Sequence, residues 1–200
     1  MKKIFVALLA VAVLAAPSFA KEKKAKDSGL TVKGGFGYGI VLSNVPSGGD
    51  SGGLSLGAQV LSDKIVDVKN LKLGGEIGYQ QIYSYDIAGI PAIPPFFAGI
   101  AAQSIDVSAV PILVIAEYEV TDSVKLGKKL SSFTQFGLGL SAVSVGDDSE
   151  MDFTLMIGPG VRYDTGKDIN IEATMKYYSI STSGDSSSLL NIGVAGVYQF

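Results

Sequence analysis

The ionisable residues of this chain sit at alternating positions and form no catalytic constellation. Lys33, Lys72, Arg162 and Lys176, with Glu76, Glu117 and Glu172, each stand in a run whose every second residue is apolar. Side chains of an extended segment alternate between two faces, so residues placed this way share the face opposite the apolar one. If the segments close into one sheet, the charges meet inside it. They must pair there, because desolvating a lone charge costs several kcal/mol. The turn at 164–168 is expected to bring Arg162 near Glu172, and the turn at 121–131 to bring Glu117 near Gln135. A structural plug is the first role for such a set. A gated ion path is the second, since ionisable groups within a membrane often mark conduction routes. If Arg162→Ala altered neither stability nor conductance, both roles would fall for that residue.

Other chemistry finds little support. The chain has no histidine and no cysteine, which removes disulfides and thiolate metal sites. A serine nucleophile needs a general base, usually histidine, so a lipid-modifying enzyme ranks third among the functions, and the chain is read as a non-enzyme. Gly34-Gly35-Phe36-Gly37-Tyr38-Gly39 resembles a phosphate loop but lacks the following helix and acidic residue, and it alternates like a strand. Asp147-Asp148-Ser149-Glu150, with Asp152, reads as a solvated acidic loop. Its spacing matches no calcium loop, which leaves contact through divalent ions to lipopolysaccharide as the other idea. No cofactor or metal is expected. The net charge of −3 gives no pull toward nucleic acid.

The elements that position these residues begin after an export signal. Lys2 and Lys3 precede an apolar stretch from Ile4 to Ala16, and Pro17-Ser18-Phe19-Ala20 supplies the small residues a signal peptidase needs. That stretch is too short for the ~20 residues that span a bilayer. Residues 1–20 are therefore expected to be cleaved, 21–28 to form a charged periplasmic tail, and 29–200 to form one domain. No spanning helix follows, because the longest uncharged stretch, Ile87 to Ile105, contains Pro91, Pro94 and Pro95.

Alternation then points to strands. Leu190, Ile192, Val194, Gly196, Tyr198 and Phe200 oppose Asn191, Gly193, Ala195, Val197 and Gln199. Similar runs occur near 30–40, 54–62, 70–85, 135–141, 153–163 and 169–178, while 107–119 is apolar on both faces. Turn-rich breaks at 43–53, 62–70, 85–104, 121–131, 145–150, 164–168 and 181–188 separate them. The fold class is all-β: a membrane-spanning, antiparallel, up-and-down barrel of about eight strands. Only closed sheets and helices satisfy their backbone groups in hydrocarbon.

On Gly193-Val194-Ala195-Gly196-Val197-Tyr198-Gln199-Phe200 and Gly158-Pro159-Gly160-Val161-Arg162-Tyr163, the chain resembles the small eight-stranded outer-membrane barrels. That family contains the OmpA transmembrane domain, OmpX-type proteins and opacity or attachment proteins. The resemblance covers roughly 29–200 and implies an outer-membrane location, with Tyr198 and Phe200 in the signal read by the barrel-assembly machinery. It also implies a surface role in envelope integrity or adhesion, carried by outer loops; a narrow pore for ions or small solutes is the alternative. Expected partners are outer-membrane lipid, lipopolysaccharide and an unspecified surface partner, with the barrel itself monomeric.

Eight strands leave a lumen that side chains fill. The charges are expected to form a polar plug in its periplasmic half. The inward glycines either leave a cavity toward the outer half or, as the favoured reading, make room for Tyr178 and Met156. The segment 86–103 is unusually apolar for an exposed loop, which marks an interaction surface. Phe96 and Phe97 are its candidate anchors to lipid or a partner; replacing both with Ser without loss of binding or protease resistance would sink that idea.

Overall fold

The computed structural model describes residues 29–42, 52–87, 103–120, 129–146, 148–166, 169–181 and 186–200. The expected signal and tail, and Phe96 and Phe97, lie outside them. Eight strands run in chain order: β1 Leu30–Val41, β2 Gly52–Ser62, β3 Leu71–Ile87, β4 Gln103–Glu119, β5 Leu130–Val145, β6 Asp148–Tyr163, β7 Ile169–Ser181 and β8 Ser186–Gln199. Each pairs antiparallel with its neighbour, and β8 pairs back with β1 from Thr31↔Gln199 to Val41↔Leu189, closing the barrel. Closure leaves no open edge, which is the condition for a sheet in hydrocarbon.

Alternation decides which side chains face which solvent. Val114 is 64% exposed and Phe36 62%, while Glu117 on the opposite face of β4 is 1% exposed. Phe136, Leu138, Leu155, Ile171 and Ile192 are likewise exposed on the outside. A continuous apolar exterior of this kind belongs in lipid rather than water.

Interior residues fall into two zones. Toward the end that carries Leu30 and Phe200, here the terminal end, the buried side chains are mostly polar or charged. Toward the opposite, loop end Val41, Ile82, Val107, Ala109, Met156, Ile180 and Leu189 form an apolar cluster that reaches back through Leu113, Ile115 and Tyr178 to Leu61, with buried polar residues such as Ser141, Asp152 and Thr154 among them. The two-faced apolarity of 107–119 has its reason here: one face of β4 meets lipid and the other supplies much of this inner cluster.

Glycine makes the close fit possible. A Cβ on Gly137 would lie 3.0 Å from both Met156 Cε and Ile115 Cγ2, and one on Gly158 would lie 2.8 Å from Lys176 Cγ. Gly137 and Gly158 therefore accommodate large neighbours, whereas Gly35 and Gly193 line a cavity of about 60 Å³, so both alternatives raised by the sequence are present.

Several boundaries differ from the sequence expectation. β3 and β4 extend to Ile87 and from Gln103, across a register shift at Gln81/Tyr83 that absorbs one extra residue. The acidic stretch is largely strand rather than loop: Asp148 and Glu150 pair with Val145 and Val143, so the β5–β6 ladder runs right up to Gly146, which has φ +60°. Asp152 points inward and is buried. Among the described residues no cluster of acids holds metal-binding geometry.

Candidate functional site

Register brings together residues far apart in sequence. Arg162 faces Glu172 across the β6–β7 hairpin, and Glu117 faces Gln135 across β4–β5. Lys33 reaches both carboxylates from β1. Its Nζ donates to Glu117 and to both oxygens of Glu172, at 3.0 and 2.9 Å. Arg162 donates through Nε to Glu172 Oε1 and through Nη2 to Glu117 Oε1, both at 2.7 Å. Two cations and two carboxylates thus form a buried quartet, and Arg162 Nη1 also stands 3.8 Å from the partly exposed Glu119. The planar guanidinium suits two acceptors at once.

The ring of Phe133 lies beside this quartet, 4.7 Å from Lys33 Nζ and 5.2 Å from the Arg162 guanidinium carbon. Such contacts supplement the ion pairs where water is excluded. A Cβ on Gly160 would run into this ring, so the glycine is what admits Phe133.

A second group lies further along the lumen. Lys176 Nζ donates to Glu76 Oε2 at 2.7 Å, and the Tyr178 hydroxyl donates to Glu76 Oε1 at 2.8 Å. Two glutamines join the groups. Gln135 donates to Glu117 Oε2 at 2.7 Å and to Gln59 Oε1 at 3.1 Å, while Gln59 donates to Glu76 Oε2 at 2.5 Å. The result is one hydrogen-bonded chain from Arg162 to Lys176. Asn191 and Ser55 bond to each other at 2.5 Å beside it.

Lys72, proposed with these charges, does not join them. It is half-buried, donates to Thr31 Oγ1 at 3.1 Å, and forms no ion pair among the described residues. It stands opposite Glu117 in the β3–β4 register, yet its ammonium turns to Thr31 instead. Sequence reasoning missed Gln59, whose uncharged side chain gives no sign of joining two ion groups. It also missed Phe133, which lies beyond the alternation recognised in that strand.

A polar cavity of about 60 Å³ lies at the network's edge, lined by Lys33, Ser55, Gln59, Glu76, Gln80 and Asn191 among others. Its size and polarity suit water.

At the loop end the chemistry changes. Asp152 lies on the inner row of β6 with Glu150 and Asp148, opposite Ser141, Val143 and Val145 of β5. It is 6% exposed, and its buried Oδ2 has no hydrogen-bond partner. Thr154, next inward, donates to Ser141 Oγ at 2.7 Å.

Comparison with known proteins follows the architecture. The fold matches Neisserial surface protein A with a TM-score of 0.61 at 15% identity, covering 86% of this chain and 98% of that one. Weaker matches include the attachment invasion locus protein of Yersinia pestis, bound to a heparin analogue (TM-score 0.47, 11% identity, 84% and 97% coverage). Another is the outer membrane enzyme PagL (TM-score 0.44, 15% identity, 85% and 99% coverage). Identities this low speak to the fold alone. No curated protein matches the sequence. The model of the outer membrane protein beta-barrel domain matches residues 6–200, and with the closed, lipid-facing barrel described above it places this chain in that family of outer-membrane proteins.

Proposed function

We propose that the barrel is closed to solutes and serves as a structural or adhesive surface protein, working through its loop end. The observation that carries this reading is the filled interior. A buried, mutually paired quartet lies at one level and the Val41–Ile82–Met156–Ile180–Leu189 cluster at another. Ions crossing it would have to displace both. Charges in a conduction path need access to water, whereas Glu117 and Glu172 are each 1% exposed.

On this reading the loop end faces outward, toward lipopolysaccharide and a surface partner, and the terminal end faces the periplasm. Tyr198 and Phe200 serve insertion by the barrel-assembly machinery. A lipid-modifying role finds no support in the lumen, where Glu76, Glu117 and Glu172 are each engaged by a cation.

Single-channel recording of the refolded protein in a planar bilayer tests the closed lumen. Protein shown to be folded should give no steady openings. Steady openings altered by Arg162→Ala would replace this reading with a pore filtered by the lumen charges.

A further inference from the structure

The described strand ends at the loop end are acidic: Asp86, Asp106, Asp148, Glu150 and Asp152 lie there, with no Lys or Arg among the described residues beside them. The strand portions nearest that end fall within sequence segments 34–57, 77–116, 136–161 and 177–198. They contain Asp and Glu residues but no Lys, Arg or His. All basic side chains of the chain lie outside these segments.

An acidic surface alone specifies no ligand. Asp152 adds the second observation. Its carboxylate is buried just beneath the rim, Oδ2 has no partner, and no cation lies within ion-pair distance among the described residues. Its cross-strand neighbours offer little: Ser141 Oγ accepts from Thr154, and the next inner residues of β5 are Val143 and Val145. A carboxylate oxygen buried without a donor is costly, and a bound cation removes that cost.

The surroundings choose among cations. A divalent metal favours several carboxylates at once, and no such group exists among the described residues. An ammonium or guanidinium needs one well-placed carboxylate and an apolar wall for its stem. Val145, exposed at the rim, and half-buried Val143 provide that wall, with Glu150 and Asp148 exposed above Asp152 as a line of approach.

We propose that the loop-end mouth docks a basic polypeptide segment, one Lys or Arg of which passes Val145 and Val143 to pair with Asp152. Glu150 and Asp148 engage further basic residues at the rim. This rests on reading the loop end as the interacting face, and it gives that face a partner chemistry.

The test uses the refolded protein in zwitterionic lipid nanodiscs and a fluorescent oligolysine as probe, followed by anisotropy, with folding verified by heat-modifiable gel migration. Oligolysine should bind at low salt and release as salt is raised. Asp152→Asn should weaken binding by about tenfold or more. Asp67→Asn, in the exposed β2–β3 turn at the terminal end, should leave it unchanged. Equal affinity for wild type and Asp152→Asn would overturn the proposal in favour of diffuse attraction. Calorimetric binding of magnesium that depends on Asp152, with none of oligolysine, would overturn it in favour of a metal site. Failure here with a silent bilayer sinks only the partner chemistry; binding here with steady channel openings sinks only the closed lumen.

Discussion

Replacing Arg162 by Met should destabilise the barrel far more than replacing Arg162 and Glu172 together by Met and Gln. Arg162 is one of two cations in the quartet, and Glu117 and Glu172 beside it are each 1% exposed. The single variant leaves two buried carboxylates sharing Lys33. Breaking a buried pair in this way costs about 3–5 kcal/mol, chiefly the desolvation of the charge left behind. The double variant removes one charge of each sign. Lys33 and Glu117 still balance, and the amide introduced at position 172 still offers Lys33 a carbonyl acceptor. Its cost should fall to about 1–2 kcal/mol, the worth of the lost hydrogen bonds. Urea titration in phospholipid vesicles, with the folded fraction read from gel migration without heating, separates the cases. With a urea slope of about 1–3 kcal/mol/M, the single variant's midpoint should drop by roughly 1 M or more, and the double variant's by less. A single-variant cost below about 1 kcal/mol would refute the claim that the quartet is interdependent. So would a double-variant cost equal to the sum of the two singles.

Gly160→Val should force Phe133 away from Lys33 and Arg162, at an overpacking cost of about 1–3 kcal/mol in the same titration; an unmoved midpoint would show that the ring yields freely. Phe200→Ala should lower the folded protein recovered from the outer membrane of cells while leaving refolding into vesicles nearly intact. The Phe200 ring meets Tyr198 edge-on, centroids 4.6 Å apart, and the backbone bond from Phe200 to Leu30 survives the substitution. Equal loss in both settings would make Phe200 a packing residue rather than an assembly signal.

The barrel was legible in the sequence because one constraint, lipid outside and a packed lumen inside, is written at every second residue. It was clearest in β8 and the following Phe200, where the faces alternate from Leu190 onward with only Gly196 and Val197 out of type. β4 was the least legible, since its inner face is also apolar. The Arg162–Glu172 and Glu117–Gln135 neighbours followed from hairpin geometry. Lys33 did not: it meets its carboxylates on β4 and β7 across the lumen, and no local turn encodes that meeting. The glutamine bridge stayed hidden for a related reason. An uncharged side chain announces neither burial nor partner until three strands converge on it. The end of the acidic stretch was misplaced because Asp and Glu disfavour strands in general, yet at a rim they can pair through their backbone with water on one side.

The distribution of charge through the barrel argues that its two ends do different work. Near the terminal end, opposite charges are brought together and neutralised, at the expense of a network in which each member depends on the others. Nothing comparable is done for Asp152. Had selection acted on stability alone, an apolar residue at that position would remove a buried, unpartnered oxygen and extend the neighbouring Val41–Ile180–Leu189 cluster. The same substitution, Asp152→Val, therefore discriminates in one variant. A more stable barrel that no longer binds oligolysine places the acid in the service of a ligand, whereas lost stability places it in the service of the fold.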